Sequence, residues 1–364
     1  MRPIVAALAA AAIAAASLTS AVGAESAPMS FVKSLPTVSQ VGSTVPGNGD
    51  VNPYGVAVVP VSMGSLVKND ILVSNFNNKA NLQGTGTTIV ELSPSGHLKV
   101  FATIMADDVR ACRGGIGLTT ALVALRNGWV VVGSLPTSDG MSATARAGCL
   151  IFLNSSGKVV TTIHGGLING PWDMTAMDNS AGMALFVSNV LNGTVAAGGK
   201  TVHRGTVVRI DLSTSSSGMP MVTSERVIGW GFAEKTDPAA LVIGPTGLAL
   251  SDDGTLYVAD TLGSRIAAIP NAANTMTASH RGRTVSTSSV LNQPLGLALA
   301  PNDDILAVNA GDGNIVEISP SGHLVTSKTI DSAGGGSLFG LAVKPGGSGI
   351  YFVEDDTNML ALLH

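Results

Sequence analysis

An all-β chain closed into a six-bladed propeller is the fold class that the sequence predicts, and three observations predict it. Short Val/Ile/Leu runs return in groups at a period of roughly 40 to 50 residues, the spacing of propellers and solenoids. The 44 Gly and 17 Pro of the 364 residues fall mostly at breaks between those runs, which favours turns and strands over helices. The last group is one strand short, while a strand-like segment precedes the first.

The best-formed unit is GPTGLALSDDGTLYVADTLGSRIAAI, residues 244–269. Gly247 to Leu250 reads as a short apolar strand and Ser251-Asp252-Asp253-Gly254 as a tight turn. Leu256 to Ala259 and Ile266 to Ile269 complete three strands. The same order recurs after Asn52-Pro53-Tyr54-Gly55, Gly114-Gly115-Ile116-Gly117, Gly170-Pro171-Trp172-Asp173, Gln293-Pro294-Leu295-Gly296 and Ser337-Leu338-Phe339-Gly340. Most units add a fourth run. The segments LSPSGHLKVFATI (92–104) and ISPSGHLVTSKTI (318–330) are near copies of one hairpin joining strands three and four. The final unit ends at His364 with three strands, and SFVKSLPTVSQV (30–41) stands unassigned before the first. The N-terminal strand is therefore expected to close the last blade, which leaves only short, protected sheet edges.

With 45% hydrophobic and 12% charged residues the chain can bury a large core. A formal net charge of −4 gives no reason to expect nucleic acid or an anionic membrane as partner. Residues 1–24 read as a secretory signal: Arg2, an Ala-rich apolar run too short to span a bilayer, and the small residues Val22-Gly23-Ala24 at the cleavage point. A single propeller domain over 25–364, periplasmic or secreted, monomeric and without a membrane span, is the expectation. In that oxidising setting Cys112 and Cys149, an even count, are expected to pair.

The pattern P-x-G-L-A-L…DGTLYVADT…RI resembles the NHL repeat, and six such units resemble a six-bladed propeller over residues 30–364. The 244–269 unit matches closely, whereas the unit at 112–168 lacks the terminal Asp. In such a blade the start of strand one and the end of strand two lie on one face of the disc. The starts give an inner ring of Tyr54, Ile116, Trp172, Thr246, Leu295 and Phe339. The ends give an outer ring of Asn75, Ser134, Asn189, Asp260, Asn309 and Glu354. The loops 76–87, 135–148 and 190–205 emerge on the same face, and the segment 229–244 with Trp230 crowds it. Long loops in compact domains are often functional.

Two readings follow. In the first, the protein is a non-catalytic binding or scaffold protein that takes a small molecule, a glycan or a protein at the aromatic mouth of Tyr54, Trp172 and Phe339, with Trp230 beside it. It then needs no cofactor. In the second, it is a metal-dependent hydrolase or lyase with Asn189, Asp260, Asn309 and Glu354 as oxygen donors for calcium or magnesium. Six-bladed lactonases of the gluconolactonase and paraoxonase type hold a catalytic calcium in the channel mouth, on Asn or Asp at the start of strand one. The matching residues here are Tyr54, Trp172, Thr246, Leu295 and Phe339, none with a carboxylate or amide side chain. The virginiamycin-lyase type uses a His and a Glu with magnesium. His97 and His323 recur in duplicated rim hairpins, and His164, His203 and His280 lie in different loops without a zinc-ligand spacing. No G-x-S-x-G elbow occurs, and the Gly-rich 113–120 stretch lacks the Lys of a phosphate loop. Asp260 followed by Arg265 resembles the repeat's own structural ion pair.

Overall fold

The computed structural model describes residues 30–215 and 218–364; the signal segment 1–24 lies outside the described residues. Six sheets stand around a central channel, each a blade and each antiparallel apart from a short parallel pairing of Gly229 and Trp230 with Ser279 and His280. The inner strands are Val51–Val58, Leu118–Ala124, Pro171–Asn179, Pro245–Leu250, Pro294–Leu299 and Leu338–Val343. Each inner strand is the edge of its sheet, so its outward backbone N–H and C=O groups face the channel instead of a neighbouring strand. Apolar residues of the second and third strands, such as Ile71, Phe152, Phe186, Ile305 and Phe352, are fully buried and fill the space between blades.

The ring closes as the short last unit implies. Val38–Ser43 pairs antiparallel with Met359–Leu363 and becomes the outer strand of blade six. Blade three departs from the repeat. Its fourth strand runs from Pro220 to Asp237 and then turns back into Leu241–Ile243, so the segment 229–244 is a hairpin growing out of the sheet.

Blade two corrects one reading. Ile116 does not begin the inner strand: pairing starts with Leu118 opposite Ser134, and Thr119 takes the inner-ring place. The cause is packing of the preceding turn. A side chain on Gly117 would sit 2.5 Å from the Gly84 backbone, so the Gly-rich stretch is a loop pressed against blade one's long loop.

Cys112 and Cys149 are bonded, with Cα atoms 5.7 Å apart across 37 residues, and both are buried. Cys112 reaches the start of the third strand from the loop that precedes the first, tethering the span that includes the 135–148 loop. Closing a loop of this size stabilises by about 4 kcal/mol in the chain-entropy model. Cys149→Ser is expected to lower the melting temperature under oxidising conditions and to change little in reductant; equal melting of both proteins without reductant contradicts it.

Candidate functional site

The sequence gathers Tyr54, Trp172 and Phe339 at one mouth of the channel, and the structure brings them together. Tyr54 stacks on Phe339 at 4.0 Å and on Phe76 at 4.4 Å between ring centroids, with Trp172 at 6.2 Å. They do not form an accessible surface, however: all three are buried, at 2%, 4% and 2% exposure for Tyr54, Phe339 and Trp172. The long loops fold inward over them. Leu241, in the left-handed region at φ 61°, turns the blade-three hairpin so that Val242 O accepts the Trp172 indole N–H at 2.9 Å. Gln83 Nε2 donates to Pro238 O at 2.8 Å, and Thr137 Oγ1 to Gln83 O at 2.5 Å, so loops of three blades lock to one another. This mouth is a hydrophobic plug. Trp230 is apart from it, half-exposed on the outer strand of blade three and tilted against His280 at 4.5 Å.

The proposed metal ligands are not brought together either. Asn189 Oδ1 accepts the Asn169 and Gly170 amides, both at 3.2 Å. Asn309 Nδ2 donates to Val290 O at 2.8 Å, and Asn75 Nδ2 to Thr44 O at 3.0 Å. In each case the strand-end amide ties down the segment that leads into its own blade's inner strand. Asp260 pairs with Arg265 at 2.8 Å, with Arg281 at 3.6 Å. Glu354 accepts Thr357 Oγ1 at 2.9 Å, and burial raises its pKa. Among the described residues no three His, Cys, Asp or Glu side chains cluster to hold a metal ion. A calcium in this mouth does not fit the residues present: the inner ring is aromatic, aliphatic or Thr, and although Oδ1 of Asn75, Asp260 and Asn309 has no hydrogen-bond partner among the described residues, the other polar atom of each side chain is held within its own blade and no three acidic groups converge.

The open cavity lies on the other side of the plug. About 430 Å³ in volume, it runs from the level of Asp173 to the strand ends near Pro60, Arg126 and Leu299, lined by all six inner strands. Its closed end is shaped by glycine. Gly55, Gly247, Gly296 and Gly340 stand two places after Pro53, Pro245, Pro294 and Leu338, the inner-strand residues paired with Asn75, Asp260, Asn309 and Glu354. A Cβ on the last three would meet a backbone oxygen of the next blade at 2.1–2.3 Å, so adjacent strands nearly touch there and no side chain fits.

Blade three carries Asp173 at this position. Beside it Ser188 Oγ, from the second strand, donates to Thr246 O of blade four at 2.8 Å and accepts the Asp173 amide at 3.0 Å. The Asp173 carboxyl lines the cavity and Oδ2 accepts the Leu248 amide of blade four at 2.9 Å. Burial pushes its pKa from 3.8 to about 7, against the lowering effect of the Met174 and Leu248 amides. A carboxyl poised near neutrality at the end of a cavity has the properties of a general acid–base group. The sequence reading passed over Asp173 as the neighbour of Trp172. The signal was present: at the start of its unit, Asp173 stands where the other five units have Gly in the sequence.

Residues 137–333, more than half of the chain, match the family described as SMP-30/Gluconolactonase/LRE-like region. Among solved structures the chain is similar to a gluconolactonase from Xanthomonas campestris, at 13% identity and a TM-score of 0.55 over 86% of each chain. It is also similar to regucalcin, a calcium-binding protein from Agrobacterium tumefaciens, at 13% identity and 0.55, over 89% of this chain and 93% of that one. A virginiamycin B lyase from Staphylococcus aureus follows at 15% and 0.51, over 90% and 85%. At these identities the structures establish the propeller fold alone. No curated protein matches in sequence. The family match overturns the expectation of a non-catalytic binding or scaffold protein and favours the enzyme reading.

Proposed function

Because the chain belongs to the SMP-30/gluconolactonase/LRE-like family, we propose that it is an enzyme that hydrolyses a small ester or lactone within the channel, with Asp173 as its general base. The observation that carries this reading is the Asp173 carboxyl, placed where the ring otherwise takes only glycine and raised by burial to about 7. Deprotonated, it accepts a proton from water as the water oxygen bonds to the ester carbonyl carbon. It returns that proton to the departing alkoxide when the acyl C–O bond breaks. The cavity walls suit a small polar substrate, because six strand edges offer backbone donors and acceptors among aliphatic side chains. Entry is from the face opposite the long loops, since the plug of Tyr54, Trp172 and Phe339 closes the other end.

Purified protein assayed on a panel of lactones and aryl esters is expected to show turnover that climbs as pH rises through about 7, and to keep it in chelator. Absence of hydrolysis across the panel between about pH 6 and pH 9 sinks the proposal. Export belongs to the same reading: the buried Cys112–Cys149 bond supports an oxidising location. The mature protein recovered from the periplasm or medium is then expected to contain no free thiol.

A further inference from the structure

Resting on the hydrolase reading, we propose that Thr120 is a second catalytic residue, whose hydroxyl donates to the reacting carbonyl oxygen beside Asp173. Blade two is the other place where the glycine ring is broken. Between the paired positions Leu118–Ser134 and Leu122–Val132 its inner strand advances four residues while the partner advances two; blades three to six advance three. Thr120 stands two places after Leu118, the ring place that glycine fills in four blades, in the blade next to Asp173, and both residues line one cavity.

Thr120 is 4% exposed, and its Oγ1 has no hydrogen-bond partner among the described residues. The Ser and Thr hydroxyls around it are bonded. Thr119 Oγ1 accepts the Ala121 amide, Ser74 Oγ donates to Thr119 O, and Ser188 Oγ donates to Thr246 O. A buried hydroxyl without a partner is costly and calls for an explanation. A ligand oxygen supplies one: as water adds to the carbonyl carbon, the C=O electron pair moves onto oxygen, and Thr120 Oγ–H hydrogen-bonds the anion that forms. When the C=O bond reforms and the alkoxide leaves, that bond weakens again and Thr120 keeps its proton throughout. Asp173 alone moves a proton.

The test compares Thr120→Val, which keeps the shape and removes the hydroxyl, with Thr120→Ser, which keeps the hydroxyl. On an ester of the panel, Thr120→Val is expected to lose kcat by about 10²-fold with KM little changed, the loss typical of one oxyanion donor, and Thr120→Ser to retain most of it. Melting of Thr120→Val is expected to be no lower than that of the native protein, since the hydroxyl has no protein partner to lose. A second readout needs no turnover. Calorimetry with phenyl methylphosphonate, whose anionic tetrahedral oxygens imitate the intermediate, is expected to show binding to the native protein and Thr120→Ser, and at least about tenfold weaker binding to Thr120→Val. Equal kcat or equal phosphonate affinity for the Val and Ser variants overturns the role of Thr120, as does failure of the native protein to bind the probe. Phosphonate binding that depends on Thr120, in a protein that cleaves no ester, keeps this oxyanion site and removes the hydrolase reading instead.

Discussion

Asp173→Asn is expected to abolish most turnover while making the protein more heat-stable at alkaline pH. The two effects come from one cause. Loss of a positioned general base costs about 10²- to 10⁴-fold in rate. Asn keeps an oxygen for the Leu248 amide, so the backbone bond that fixes this position survives. The charge penalty does not. Because burial raises the folded-state pKa above its unfolded value of 3.8, the stabilising contribution of the neutral carboxyl is fully present below about pH 4. It is lost as pH rises through about 7, where the folded protein must accept a buried anion. A rise from 3.8 to about 7 corresponds to at most about 4 kcal/mol. The native protein should therefore melt progressively lower from about pH 5 to pH 8, and Asp173→Asn should melt higher than it at the alkaline end but not below about pH 4. Calorimetric melting of both proteins across that range, alongside initial rates, checks both halves. A variant with native turnover removes Asp173 from the chemistry. Parallel melting curves at every pH remove the buried charge.

How much of this was legible in the sequence differs sharply between the scaffold and the site. Blade architecture was legible because it is local: period, turn chemistry and the duplicated SPSGHL hairpins each act within one unit. Closure by residues 30–41 was legible from a count, since one unit lacked a strand and one strand lacked a unit. Placement of the inner and outer rings on one face also followed from strand direction, apart from Ile116, which stays in the Gly-rich turn packed on Gly84 while Thr119 takes the inner-ring place. The fate of the mouth was not legible. Whether loops stand away from the channel or fold across it is decided by contacts between blades, such as Gln83 with Pro238 and Ser142 Oγ with Asp237 O, and no period records these. Tyr54, Trp172 and Phe339 thus read as an open aromatic mouth and became a plug. Asp173 and Thr120 were hidden for a different reason. Their meaning is comparative: only beside four blades that require glycine does a side chain at that level stand out as projecting into the channel.

Deleting residues 30–41 is expected to produce oligomers and a large fall in melting temperature. The segment contributes more than a pairing strand. Val32 and Leu35 are buried in the core between blades five and six with Leu306, Ile315 and Phe352. Full burial of each such side chain is worth about 1.5–3 kcal/mol. Ahead of the strand, the buried Glu317 carboxylate accepts Ser30 Oγ at 2.5 Å and the Phe31 and Val32 amides at 2.7 and 2.9 Å. Lys328 Nζ donates to Leu35 O. Removal of the segment leaves Glu317 without its three donors beside Asp304, whose pKa burial and Glu317 already raise to about 6. It also strips Met359–Leu363 of its partner, exposing an apolar edge of the kind that pairs with another chain. A combined loss of at least about 5 kcal/mol should lower the melting temperature by roughly 10 °C or more. Glu317→Gln, which retains the strand and can still accept hydrogen bonds, should melt between the two and stay monomeric. Light scattering and calorimetry on all three proteins separate the effects. A truncated chain that elutes as a monomer with native melting would show that the ring is held without its N-terminal strand.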